Sequence, residues 1–140
     1  MARGGFIGVA LATVLIGVAV TAAGPRPKAL AGAAPGLWEI DGSRASGAPT
    51  RECVGDPLEL AQFEHRGKRC SRNVLSGSGT AALIGYSCNG RDFGRSKLTL
   101  ITPRSLRIET QGISDGLPFN YVLQARRVGE CPMKASVAAH

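Results

Sequence analysis

Four cysteines, two histidines and one run of cations are the residues through which this chain could do chemistry. Cys53, Cys70, Cys88 and Cys131 are separated by 16, 17 and 42 residues. A zinc module draws its ligands in close pairs, and these gaps suit no common one, so no metal site is expected. An even cysteine count in a short chain reads instead as two disulfides, which form in an oxidising compartment. Acid–base or nucleophilic catalysis needs a base held beside its partner. His140 is the last residue, and His65, crowded by Arg66, Lys68 and Arg69, reads as a surface residue at the end of a helix. The carboxylates are scattered. No catalytic residue is assigned, and no cofactor.

The densest charge is His65-Arg66-Gly67-Lys68-Arg69-Cys70-Ser71-Arg72. Arg66, Lys68, Arg69 and Arg72 are the candidate anion-binding residues, because guanidinium groups grip phosphate or carboxylate in bidentate fashion. The same cations would suit a solvated loop at the negative end of a helix dipole. Two short strings imitate known motifs. Gly77-Ser78-Gly79-Thr80-Ala81-Ala82 has the letters of a dinucleotide loop, but Leu83-Ile84-Gly85-Tyr86 continues as strand, whereas that loop must open a helix. Asp92-Phe93-Gly94 echoes a kinase metal motif in a chain without its partner motifs.

The elements that hold these residues begin with a targeting segment. Arg3, the apolar run from Phe6 to Ala23 and the small residues closing it are the three parts of a secretory signal, so residues 1–23 read as a signal peptide. Ala29-Leu30-Ala31 offers a second cleavage site. An uncleaved anchor is the alternative, although the run is short for a bilayer span. With the signal removed no transmembrane segment is expected. Residues 24–35, rich in Pro, Ala and Gly, read as a flexible leader; residues 36–132 as a single domain; residues 133–140 as a disordered tail.

The domain itself reads as mainly β. Leu37 and Glu39 alternate with Trp38 and Ile40, the period of a half-buried strand. Asp56-Pro57-Leu58-Glu59 supplies a cap, a proline for the first helical position and an acid for the first turn, so one short helix should run to about Gly67. From Cys70 to Val128 strands and turns follow one another, with turns at Ser76 to Gly79, Asn89-Gly90 and Thr102-Pro103-Arg104, and a loop over Gly112 to Pro118. The expected fold is an antiparallel meander of five or six strands, a curled sheet or partial barrel, with one helix and two disulfides. One register is specific: Leu98 and Leu100 share a face only if they pair with Ile108 and Leu106, which sets Lys97 opposite Glu109 and Thr99 opposite Arg107. Cys70 and Cys88 fall at the same end of one hairpin, which favours the pairs 70–88 and 53–131. The rival, 53–70 with 88–131, stays open.

Seventeen Lys and Arg against ten Asp and Glu give a formal net charge of +7. That excess favours anionic surfaces such as lipid headgroups and cell-wall polymers; export removes nucleic acid from consideration. The opening Pro35-Gly36-Leu37-Trp38-Glu39, then Cys53-Val54, two internal cysteines and the closing Gly129-Glu130-Cys131-Pro132 resemble a domain-of-unknown-function family of small proteobacterial periplasmic proteins with an N-terminal Gly-x-Trp-Glu strand. The resemblance implies a periplasmic location and paired cysteines, and no reaction. The function expected is that of a non-catalytic binding or envelope-maintenance module, its partner an anionic envelope component or a periplasmic protein. The alternatives are a small enzyme with a carboxylate or tyrosine site and an inhibitor of a periplasmic hydrolase. N-terminal sequencing of the exported protein should begin at Gly24; a mature chain still starting near Met1 would replace the signal with an anchor.

Overall fold

The period-two alternation becomes seven strands in one antiparallel sheet. A computed structural model describes residues 26–42 and 48–133; the expected signal peptide, the first cleavage site and residues 134–140 lie outside the described residues. The strands are β1 (Gly36–Asp41), β2 (Thr50–Val54), β3 (Ser71–Ser78), β4 (Ala81–Cys88), β5 (Asp92–Thr102), β6 (Ser105–Ser114) and β7 (Leu117–Gly129). Their order is β2-β1-β7-β6-β5-β4-β3. The meander β3 to β7 is therefore extended by the hairpin β1–β2, which pairs onto β7 through Ile40↔Ala125 and Asp41↔Gln124. The sheet does not close, and β2 and β3 are its two edges.

Sequence reading expected one or two strands fewer. Thr50–Val54 carries charges at the adjacent positions Arg51 and Glu52 and lies at an edge, so it has no apolar run of its own to announce it. Gly112 to Pro118, expected as a loop, is mostly strand: β6 continues to Ser114 and β7 begins at Leu117. Asp115 and Gly116 alone make the turn, both with positive φ (50° and 79°). That geometry matches the twist of the flanking strands, which is why such a short connection suffices. Asn89 and Gly90 turn in the same way.

The register of β5 against β6 follows from burial. Leu98↔Ile108, Leu100↔Leu106, Lys97↔Glu109 and Thr99↔Arg107 are the observed pairs. Leu98, Leu106 and Ile108 are fully enclosed, so a slip of one residue would turn them to water. A bulge between Leu100 and Thr102 shortens the expected three-residue loop to Pro103 and Arg104.

One face of the sheet holds the core, formed by Trp38, Ile40, Ile84, Leu98, Leu106, Ile108 and Leu123. A helix at Pro57–His65 lies across β4, β5 and β6 and adds Leu60, Ala61 and Phe63. It is 3-10 rather than α, interrupted at Gln62 (φ −103°, ψ 30°). Its start is as the sequence reads: the Asp56 carboxylate accepts from the Leu58 amide at 3.1 Å, with Pro57 next in line.

The leader is not free of the fold. Lys28–Leu30 forms a 3-10 turn, and Leu30 is fully buried against the sheet. The Trp38 indole donates to the Ala34 carbonyl at 3.1 Å, and the Ala34 amide donates to Pro103 O at 3.0 Å. Proline and alanine suggested a linker, but one leucine in that stretch fills the end of the core the main helix leaves open.

Both disulfides join the cysteines that the hairpin argument favours. Cys70 and Cys88 continue the pairing Ser71↔Ser87, with Cα atoms 4.2 Å apart. A bulge between Val74 and Ser76 absorbs the odd residue of that hairpin. Cys53 sits opposite Leu37, and Leu37 opposite Gly129, so Cys53–Cys131 straps β2 to the end of β7 across β1 (Cα–Cα 5.5 Å).

The Leu30→Ala variant should lose about 2–5 kcal/mol in urea unfolding, the cost of emptying a core leucine site. A flexible leader would register almost nothing. A chain beginning after Ala31 would lack Leu30 in its core.

Candidate ligand-binding face

The ionisable residues that come together do so inside the protein. His65, expected at the surface, is enclosed between helix and sheet with a side-chain exposure of 0%. Its Nδ1 is 3.1 Å from the Tyr86 hydroxyl, and its ring meets those of Tyr86 and Phe119 edge-on at 5.6 and 5.9 Å. Its Nε2 has no hydrogen-bond partner and lies 3.9 Å from Asp92 Oδ1. Burial, with the Glu64 carboxylate nearby, pushes the Tyr86 phenol up to about 12, so it stays protonated at any ordinary pH. The Ser96 hydroxyl donates to the Ala61 carbonyl at 2.5 Å; since its single proton is spent there, Thr110 supplies the proton of the 2.7 Å Ser96–Thr110 bond. Tyr121 donates to Glu64 Oε2 at 2.6 Å.

Two glycines make room for this cluster. Gly94 and Gly112 face each other across β5 and β6 on the inner side of the sheet. A β-carbon on Gly94 would stand 2.5 Å from the Tyr86 hydroxyl oxygen, and one on Gly112 would meet the backbone of Phe93 and Gly94. The rings of Tyr86 and Phe119 occupy that space. With His65 out of reach of solvent, the cluster holds the helix down and presents nothing to a substrate.

The four cations singled out in the sequence are divided between two sides of the helix. Arg66 stacks 4.7 Å above the Phe63 ring and pairs with Glu52 at 3.3 Å. Arg72 donates to Gln62 Oε1 at 2.7 Å. Those two line a small cavity of about 170 Å³ together with Glu52 and Glu59. Lys68 lies elsewhere, its ammonium 2.7 Å from Asp92 Oδ2. Among the described residues Arg69 has no side-chain partner. Three of the four are thus held by groups within the protein.

The outer face of the sheet is different. Alternation sends the other half of every strand outward, and the register aligns those residues into rows. One row is Ser87↔Phe93↔Ile113↔Pro118. The row beside it, two residues along each strand, is Asn73↔Gly85↔Arg95↔Gln111↔Asn120. Leu75, thrown outward by the β3 bulge, leans over Gly85, where any side chain would crowd it (3.2 Å). Between them these residues line an open groove of about 660 Å³, floored by apolar surface. Phe93 is 48% exposed and Leu75 50%, a large apolar area for a single face to leave in water.

Charge singles out one residue in the groove. Farther along the same face Lys97 and Arg107 share Glu109, and Arg51 and Arg126 share Glu39. Arg95 has no ion-pair or hydrogen-bond partner among the described residues, and neither do the side chains of Asn73, Gln111 and Asn120. Sequence reading took these as the solvent side of their strands. The signal for a site lies in their alignment, which needs the register of four consecutive hairpins.

Among the described residues no helix is long and apolar enough to cross a membrane, and no group of three or more His, Cys, Asp or Glu could hold a metal. Comparison of the chain with models of protein families, with curated proteins and with solved structures finds no match in any of the three.

The Asp92–Lys68 pair predicts a pH profile. The Lys68 ammonium and the Asp115 amide hold the Asp92 carboxyl below its ordinary value, and Asp92 in turn raises Lys68. The Asp92 contribution to stability is therefore complete above about pH 4 and is lost as pH falls through its depressed folded value. That of Lys68 is complete at neutral pH and is lost as pH rises past its ordinary value of 10.5. Asp92→Asn should lower the melting temperature at pH 7 and flatten both arms of the profile. Part of the acid arm will remain, because Arg126 and Arg51 depress Glu39 in the same way.

Proposed function

We propose that the protein is a non-catalytic, exported binding module, of the small periplasmic kind that its sequence resembles, and that it holds an anionic component of the cell envelope in the groove on the open face of its sheet. The observation that carries this reading is Arg95: an exposed guanidinium without a partner among the described residues, in an apolar groove on a face where the neighbouring cations are paired. An arginine so placed binds carboxylate or phosphate more strongly than it would in open water, since the apolar surroundings screen less. A groove of about 660 Å³ lies within the usual size of small-ligand sites. Two disulfides fit the oxidising compartment that export implies. A catalytic reading built on His65 would have to use a ring that is closed to solvent.

The test is a titration of the ¹⁵N-labelled mature domain with a panel of anionic envelope components, acidic glycan fragments and phosphatidylglycerol micelles among them. At least one should move the amide signals of Gly85, Arg95 and Gln111, and Arg95→Gln should weaken that binding while leaving stability within about 0.5 kcal/mol. If no member moves those signals, or if the shifts gather around Arg66 to Arg72, the groove is not the site.

A further inference from the structure

The groove's two rows describe a ligand in more detail than its charge alone. The polar row runs perpendicular to the strands from β3 to β7, four inter-strand steps or about 19 Å. Along it stand three primary amides, each offering a donor and an acceptor, and one cation. The apolar row runs parallel, one pleat away, so both touch the same ligand. An occupant that satisfies them is long and straight. One edge carries alternating donors and acceptors with an acid among them, and a face of C–H bonds lies on Phe93, Ile113 and Pro118.

Three chemistries meet the demand for an acid, and two fail on the rest. A fatty acyl carboxylate would fill the apolar row and reach Arg95, but would strip water from the three amides and return no hydrogen bonds, a cost for each. A single-stranded nucleic acid would stack on Phe93, yet it carries a phosphate at every step and calls for cations along its whole track; this row has one. A chain of pyranose rings presents hydroxyl and acetamido groups along its edges and C–H faces above and below. Given an acid on some rings and amides on others, it pairs with every member of the row.

We propose that the groove binds a glycan strand in which acidic sugars alternate with amide-bearing neutral ones, laid across β3 to β7 with a carboxylate on Arg95 and ring faces on the Phe93–Pro118 row. The proposal rests on the groove being the ligand site. Arg95 takes the carboxylate through two parallel N–H···O bonds. Gln111 and Asn120 take the neighbouring acetamido and hydroxyl groups on one side, and Asn73 does so on the other, with Leu75, lying over Gly85, as the apolar floor between.

Calorimetry and ¹⁵N shift mapping on the mature domain test this with four probes: a hyaluronan hexasaccharide, which alternates uronate with N-acetylglucosamine; a chitin hexasaccharide, its neutral counterpart; dodecanoate; and phosphatidylglycerol micelles. The hyaluronan fragment should move the amides of Asn73, Arg95, Gln111 and Asn120 together. It should bind at least about tenfold more tightly than the neutral hexamer, as a charge-assisted pair provides. Arg95→Gln should erase that difference without changing the neutral affinity, and Phe93→Ala should weaken both. Each variant changes an exposed side chain, and an unchanged melting temperature confirms the fold. Equal affinity for the two hexamers would overturn the acid–arginine pairing. Dodecanoate or micelles moving the groove signals while neither glycan does would overturn the glycan and leave the groove standing. Silence at the groove from all four would remove both.

Discussion

A nine-residue 3-10 helix has no stability of its own, and the whole inner half of this protein depends on keeping one pressed to a sheet. Hydroxyl groups do it. Tyr86 on β4, Ser96 on β5 and Tyr121 on β7 reach up from the sheet to His65, the Ala61 carbonyl and Glu64. Each stands where strict alternation would put an aliphatic residue, and burying a hydroxyl is unfavourable unless it is bonded. Bonded as they are, they fix where the helix sits as well as that it sits, which a greasy contact alone would not. The titratable residues His65 and Glu64 are thereby committed to holding the helix.

How far the sequence foretold this depends on the range over which each feature is decided. Strand periodicity and turns are local, so the meander and the β5–β6 register could be read from Leu98, Leu100, Leu106 and Ile108 alone. The Cys70–Cys88 pairing followed from one hairpin. His65 was misplaced because its environment is made by Tyr86, Phe119 and Asp92, distant in sequence, while its neighbours Arg66 and Lys68 suggested water. The leader was misplaced for a related reason: composition reports flexibility, and a single buried Leu30 reverses it. Of the site, the four cations after the helix were visible as a cluster but their acid partners Glu52 and Asp92 were not. The row through Arg95 was invisible because it has one residue from each of five strands.

Net charge conveys less here than its size suggests. Many of the cations are spread around the surface or held by carboxylates, with Glu39 and Glu109 each holding two. In the proposed binding role, the field that matters is that of Arg95, strengthened by the apolar floor beneath it. A protein can thus be strongly basic in composition while most of the cations on one face of its sheet are already held by carboxylates.

The seam between β1 and β7 joins the first strand of the sheet to the last, and Cys53–Cys131 locks it. A polypeptide that leaves a ribosome or a membrane channel does so from its amino end, so β1 emerges with its lasting neighbour still unmade. Until β7 has been made, Trp38 and Ile40 have only the edge hairpin beside them, and Cys53 has no mate until Cys131 follows. The sheet is therefore completed only when its last strand and Cys131 have been made, and the order of synthesis makes that seam the closing event of folding.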